Sequence, residues 1–375
     1  MKILMVSIPS LHFFRWTSQL QDSGHEVYWF DITGMSEKSE RLNWVSQKVS
    51  WKLKWNYPGR LFVKKKFPKV YQFLQHFNEY KTSSVFEEYL NEIEPDVVHS
   101  FALYLSCTPI ISVMEKKSNQ KWIYSSWGSD LFYFQNDEKY LKDIKRVLPR
   151  VNYLFTDCKR DYEIAKEHGF SGDFLGVFPG GGGFDLAHME QYKLPNEQRK
   201  TILIKGFQGR SGRAISVLKG IECLKKELID YNIVVFGADD EVFNYVKYSV
   251  LKDWFNFQIK GKMSHQEVIQ LMGQSKIYIG NSNSDGIPNT LLEAICMEIF
   301  PIQSNPGGAT EEIINHHING MLIEDCENVY EIKKIILEAI SFLPTANYDK
   351  RKLLPELDSA YLQEKVQKIY TNLIA

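Results

Sequence analysis

Residues Ile277 to Glu312 read IYIGNSNSDGIPNTLLEAICMEIFPIQSNPGGATEE. An apolar run ends at Gly280, and a polar loop follows from Asn281 to Asp285, with Gly286 and Pro288 at its turn. NTLLEAICME then has helical character, and a second apolar run, IFPIQS, leads to Gly307-Gly308 and a further helix. The order is strand, loop, helix, strand, Gly-rich loop, helix. This pattern predicts two helix N-termini and two carboxylates, Asp285 and Glu293, at the C-terminal edge of one sheet, where open α/β folds bind ligands. Backbone N–H groups at a helix start favour a phosphate-like anion. Carboxylates cannot bond that phosphate, so they suit hydroxyls. Phosphate plus hydroxyls indicates a sugar nucleotide.

Seven residues separate Asp285 from Glu293. DGIPNTLLEA resembles the acidic-x7-Glu motif of the retaining family 4 glycosyltransferases (glycosyl transferases group 1), whose GT-B fold sets two Rossmann-like domains facing each other across a cleft. The family usually has Glu at both places, so Asp285 is one methylene short. LQDSGHEVYWFD, Leu20 to Asp31, resembles the opening of the same family. The resemblance implies an α/β chain of that architecture. It places Gly286, Asn289, Thr290, Leu291, Gly307 and Gly308 beside the donor, with Glu293 on its ribose.

Composition agrees with two globular cores. The chain has 375 residues, 44% hydrophobic and 24% charged, with net charge −1, which is too long for one typical domain. No global field argues for nucleic acid. Cys107, Cys158, Cys223, Cys296 and Cys326 show no paired spacing, so a structural zinc or a disulfide framework is not expected. A reduced, cytoplasmic setting fits. MKILMVSIPS reads as a first strand rather than a signal peptide.

Strand signals recur at Lys2–Val6, His25–Phe30, Asp96–Ser100, Trp122–Ser125 and Tyr153–Thr156, with helical patterns between them. This is βαβ alternation over a parallel sheet. Four glycines in FPGGGGFD, Phe178 to Asp185, mark a junction, because such a run cannot sit inside an element without a large entropic cost. Alternation resumes with strands at Thr201–Lys205, Asn232–Gly237, Phe257–Ile259, Ile277–Gly280, Phe300–Gln303 and Met321–Ile323. Ser264 and Glu267 form a capping-box pattern. The expected division is an acceptor-binding domain over 1–185 and a nucleotide-sugar-binding domain over 186–357. A helix over 358–375 then crosses back to the first domain, as in the resembling family.

Further site residues follow from the resemblance. Arg213 and Lys219, with five residues between them after the first strand of the second half, match the family's Arg and Lys on the donor diphosphate. Cations belong there because the leaving group gains negative charge as the glycosidic bond breaks. Arg210 is a rival, and Lys262 lies in a loop expected near the base. In SSWGSDLF, relatives commonly carry His where Trp127 stands. Trp127 then stacks on a sugar face, and Asp130 positions an acceptor hydroxyl. Pro9 and Ser10 replace a glycine pair that in relatives lies against diphosphate and acceptor. For each of these a purely structural role, as a solvated charge or a turn residue, competes.

The function implied is retaining transfer of a hexose-type sugar from a nucleotide sugar to a glycan or lipid-linked acceptor, in cell-surface polysaccharide or glycolipid synthesis, with no metal and no cofactor. A nucleotide-sugar epimerase on the same fold and a non-catalytic nucleotide-sugar-binding relative stand as alternatives. A dinucleotide oxidoreductase fails at its own signature, because the first strand runs into IPSLHF rather than a Gly-rich turn. Finally, Arg41 to Lys81 holds ten basic residues and one acid, Glu79, interleaved with aromatics. That composition fits an anionic surface at the inner membrane face, or a helical region with solvated lysines.

Overall fold

The computed structural model describes residues 1–342 and 354–373. The chain divides into two compact units: unit 1 is Met1–Thr156, Asp161–Gly182 and Lys365–Ala375, and unit 2 is Asp157–Arg160 and Gly183–Glu364.

Unit 1 is built on strands β1 (Lys2–Ser7), β2 (Glu26–Asp31), β3 (Ser46–Lys48), β4 (Val97–Phe101), β5 (Lys121–Ser125), β6 (Tyr153–Thr156) and β7 (Asp173–Val177). Its helices are α1 (Leu11–Ser18), α2 (Arg60–Lys66), α3 (Pro68–Asn78), α4 (Thr82–Ile93), α5 (Ile111–Lys116), α6 (Glu138–Val147) and α7 (Lys159–Glu167), the last beginning in the unit 2 segment. The strands pair in parallel in the order β3-β2-β1-β4-β5-β6-β7. Ile3 to Val6 are fully buried, as expected where helices cover both faces of a parallel sheet. One face is a mixed core around Val98, Val147 and Leu154 that also takes in Phe30, Phe86 and Trp122. The other is aromatic: Phe13, Trp16, Trp29, Phe101 and Phe155 meet edge to face or tilted. Ser10 caps α1 by accepting from the Phe13 N–H at 3.2 Å.

Unit 2 carries β8 (Thr201–Lys205), β9 (Asn232–Phe236), β10 (Phe257–Ile259), β11 (Ser275–Gly280), β12 (Phe300–Ser304) and β13 (Met321–Ile323). Its helices are α8 (Leu186–Glu190), α9 (Ala214–Glu222), α10 (Asp240–Tyr248), α11 (His265–Gly273), α12 (Asn289–Cys296), α13 (Val329–Phe342), α14 (Leu354–Leu357) and the start of α15 (Ser359–Asn372), which passes into unit 1 at Lys365. The parallel sheet order is β10-β9-β8-β11-β12-β13. Apolar cores lie on both faces, one around Ile204, Val235 and Ile302 and the other around Leu203, Tyr278 and Leu291. The Ser264–Glu267 capping box forms at the start of α11.

The glycine run does local work. Gly182 has φ +70°, and a Cβ on Gly183 would fall 2.5 Å from the Ser359 backbone. Residues 157–160 join unit 2 because Glu312 accepts from the Lys159 and Arg160 N–H groups at 2.7 and 3.0 Å. The final residues join unit 1, where Tyr370 meets His99 Nδ1 at 2.5 Å and accepts from Trp16 Nε1 at 3.4 Å. Burial pushes His99 well below its usual range and keeps it neutral.

One expectation is corrected. A helix was expected after Gly307-Gly308, but the chain makes only two 3-10 turns, Pro306–Gly308 and Thr310–Glu312. Asn305 Oδ1 takes the N–H groups of Thr310 and Glu311 at 3.1 and 3.2 Å. The Asn315 N–H then turns to Asn319 Oδ1 at 2.6 Å. The first two contacts cap the start of the turn, as asparagine does at a helix N-terminus, but the Asn315 N–H is diverted from the Glu311 carbonyl that a continuing helix would have used, a competition typical of asparagine. The C-terminal edge of the sheet here has the N-terminus of α12 but no second one after β12.

Candidate functional site

In unit 2, sheet order reverses between β8 and β11, so the loops leaving them lie side by side at the switch point. They are laced by backbone bonds. Arg213 N–H donates to the Asn281 carbonyl at 2.9 Å, and Asn283 N–H to the Ser211 carbonyl at 2.9 Å. The buried Asn281 amide donates to the carbonyls of Arg213 (3.1 Å) and Cys326 (2.8 Å), tying three loops together. Ser282 N–H donates to Ser304 Oγ at 2.8 Å. A rigid, polar platform therefore stands at the carboxyl ends of β8, β11 and β12.

On that platform Asp285 Oδ1 accepts the Gly286 N–H at 3.0 Å. Gly286 has to be glycine, because a Cβ would stand 2.3 Å from an Asp157 carboxylate oxygen. Helix α12 then starts at Asn289 behind Pro288, with no side-chain cap. Thr290 is fixed by Tyr278, whose hydroxyl donates to Thr290 Oγ1 at 2.9 Å. Leu291 faces inward, fully buried, and its N–H bonds the Pro288 carbonyl at 2.9 Å, so neither group is presented to a ligand. Glu293 is 4% exposed overall and meets His265 Nε2 at 2.7 Å.

The cationic residues separate. Arg213 precedes α9, and its Nε donates to Glu327, which also accepts from Ser216 Oγ at 3.1 Å. Lys219 is the sixth residue of α9 and exposed. At 1.5 Å rise per residue it lies about 9 Å along the helix from Arg213. Arg210 is exposed on the β8–α9 loop, its carbonyl accepting from Arg213 Nη1 at 3.4 Å. Lys262 is exposed beyond β10, in a loop joined to the β9 loop through Gly237 N–H to the Gly261 carbonyl at 3.2 Å. Gly307 and Gly308 have φ of +61° and +81° and shape the turn after β12.

In unit 1, Trp127 lies 5.9 Å from the exposed His12 ring and 5.2 Å from Phe101. A Cβ on Gly180 would touch the Trp127 indole at 3.4 Å. An imidazole thus stands beside this position after all, supplied by the first turn of α1. Ser10 is engaged as the α1 cap. Asp130 turns away from solvent: it is 2% exposed and accepts from Leu103 N–H at 2.6 Å and the Tyr124 hydroxyl at 2.5 Å. Burial pushes its carboxyl up to about 7. It anchors the turn after Ala102, whose φ is +61°, and presents no carboxylate to an acceptor.

Three residues escaped the sequence reading. Glu327 and His265 sit 114 and 28 positions from their partners, so no local pattern marks them. Asp157 is 129 positions from Gly286, and only the glycine hinted at a close approach. For His265 the capping box was a usable signal, since it fixes that residue at the first position of α11.

Two family models cover most of the chain: "Glycosyl transferase 4-like" over residues 2–158 and "Glycosyl transferases group 1" over 188–347. The chain belongs to the group 1, family 4 type of glycosyltransferases with the GT-B fold. No curated protein sequence matches it. Among solved structures it is similar to sucrose-phosphate synthase from Thermosynechococcus elongatus, at 14% identity and TM-score 0.68, covering 100% of this chain and 99% of that one. It is similar to the lipopolysaccharide outer core galactosyltransferase WaaB, at 15% identity and TM-score 0.67, covering 99% of each. It is also similar to Anabaena HepE in complex with UDP and glucose, at 10% identity and TM-score 0.66, covering 99% of this chain and 100% of that one. At these identities the likeness speaks for the fold.

Proposed function

We propose that this glycosyltransferase binds a nucleotide sugar on the unit 2 platform and transfers a hexose-type sugar, with retention, to a glycan or lipid-linked acceptor. The observation that carries the reading is the set of groups at one switch point: the uncapped start of α12, Asp285 on its turn, Glu293 one turn in, and Arg213 across the laced loops. The α12 N-terminus faces the diphosphate, Glu293 accepts ribose hydroxyls, and Asp285 accepts sugar hydroxyls. Arg213 supplies positive charge after exchanging Glu327 for the diphosphate. Arg210 and Lys262, on neighbouring loops, are secondary cations, while Lys219 stays on the solvent face. Ser10 and Trp127 of unit 1 belong to the acceptor side. No metal or cofactor is needed.

In the transfer step the bond between the anomeric carbon and the phosphate oxygen breaks, and the acceptor oxygen bonds that carbon on the same face. The acceptor proton passes to a leaving phosphate oxygen, so charge and atoms balance without a protein nucleophile. Structures of HepE are described in complex with UDP, UDP-glucose and glucose, which makes uridine sugars the first donors to try. A role in cell-surface polysaccharide or glycolipid synthesis, at the inner membrane face, is the cellular setting that fits a lipid-linked acceptor.

Thermal-shift screening of nucleotide sugars tests the donor, since a ligand at a hundred times its dissociation constant adds about 2.7 kcal/mol. NMR of the product reads the anomer. Binding of a nucleotide sugar and a retained anomer are expected. Failure of every nucleotide sugar to stabilise the protein, or an inverted product, overturns the reading.

A further inference from the structure

Helix α3 is packed inside out. Its buried residues are the amides Gln75 and Asn78. Asn78 exchanges bonds with the Trp55 backbone at 2.9 and 3.0 Å and donates to Gln75 Oε1 at 3.3 Å. Beside these amides an open groove of about 760 Å³ has Lys52, Gln72, Gln75, His76 and Lys81 in its lining. The apolar residues Val70, Phe73, Leu74 and Phe77 stand at i, i+3, i+4 and i+7, forming one stripe, and all four are exposed, Phe73 at 67%. Phe67 continues the stripe and meets Phe62 of α2 at 6.3 Å. Leu61 is 70% exposed, and α2 buries no residue at all.

A contiguous exposed apolar patch of this kind marks an interaction surface. Its charges say which. Lys64, Lys65, Lys66 and Lys69 flank the stripe and are exposed. Residues 41–81 hold ten basic side chains against Glu79 alone, although the whole chain has net charge −1. A second copy of the hairpin would bring the Lys64–Lys66 cluster against its like. A flat anionic surface meets both features at once. Among the described residues no helix is long and apolar enough to cross a membrane, so the contact lies along the surface.

We propose that the α2–α3 hairpin docks the chain on an anionic bilayer, its Phe62, Phe67, Phe73 and Phe77 rings at the headgroup–acyl boundary and its lysines on lipid phosphates. This is the geometry of an interfacial amphipathic helix. The inference extends the lipid-linked acceptor reading. Vesicle binding is measured without donor or acceptor, so either can fail alone.

The test is sedimentation of the full chain with phosphatidylcholine vesicles, with and without an equal part of phosphatidylglycerol. Wild type should bind the anionic vesicles and release as salt rises. The triple variant Lys64→Gln, Lys65→Gln, Lys66→Gln should lose roughly fivefold in partitioning per side chain, up to about a hundredfold in all. Phe73→Ser with Phe77→Ser should weaken binding even at low salt. The thermal melting profile of each variant guards against misfolding, and the lysine variant alters only exposed side chains. Wild type that ignores anionic vesicles at low salt, or binds neutral ones equally well, overturns the proposal. So does a concentration-dependent dimer that the Phe73/Phe77 variant dissolves.

Discussion

Replacing Glu293 with alanine separates donor binding from folding. The side chain sits in the second turn of α12, nearly buried, with one oxygen 2.7 Å from His265 Nε2. If it accepts ribose hydroxyls, its loss removes a hydrogen bond to a charged group, about 1.5–3 kcal/mol, or roughly a ten- to hundred-and-fifty-fold weaker Kd. The folding cost is expected to be small, because His265 is 43% exposed as a side chain and turns to water when its partner is removed. Alanine is also the best helix former. Isothermal titration with the free nucleoside diphosphate should therefore show the full loss while thermal melting moves by only a few degrees. His265→Ala should weaken binding less, since it holds the carboxylate without touching the ribose. An unchanged Kd for Glu293→Ala, with the fold intact, would remove Glu293 from the site.

Activity should persist in EDTA, whereas Arg213→Ala should cost at least tenfold in kcat/KM; restoration of a chelated enzyme by magnesium or manganese would refute the metal-free reading. Glu327→Gln, which frees Arg213 from its ion pair, should tighten nucleoside diphosphate binding severalfold in the same titration. Asp130 has a folded-state pKa raised to about 7, so the unfolded chain gives up its proton first and stability falls as pH rises from about 4 to 7, by at most about 4 kcal/mol; Asp130→Asn should flatten that slope in melts taken across the range. Gly286→Ala should destabilise by about 1–3 kcal/mol through collision with Asp157, and adding Asp157→Ala should recover most of the loss, a coupling read from a double-mutant cycle.

The parallel sheets were legible because buried strands are short apolar runs bounded by turn residues. Ile277–Gly280 and Phe300–Gln303 were expected, and β11 and β12 run Ser275–Gly280 and Phe300–Ser304. The strands left unread are the edge strands of unit 1: β3 is SQK, with no apolar residue, and β7 is DFLGV, a short apolar run broken by Gly176. An edge strand has a neighbour on one side only, so its sequence carries less of the burial signal. The helix expected after Gly308 failed for a related reason. Its composition permits a helix, but Asn319 takes the Asn315 N–H that would have continued it.

The site shows the same boundary between local and distant information. Asp285, Gly286 and the start of α12 are one continuous segment, and their arrangement follows from a strand, a turn and a helix in sequence. Arg213 depends on more. Its place at the head of α9 was readable, but its charge is answered by Glu327, on a loop after β13 that joins the platform through Asn281 and Ser216. A cation held by an exposed carboxylate is not stripped of its charge, since such a pair is weak in water. It is held in place until a stronger anion arrives. A diphosphate that also meets the α12 N-terminus is such an anion, and its arrival would return Glu327 to solvent, where it is already 59% exposed. The Arg213–Glu327 pair thus keeps the guanidinium ordered at the mouth of the switch point without the cost of burying a second charge. Because the diphosphate has to displace Glu327, Glu327→Gln is expected to strengthen donor binding rather than weaken it.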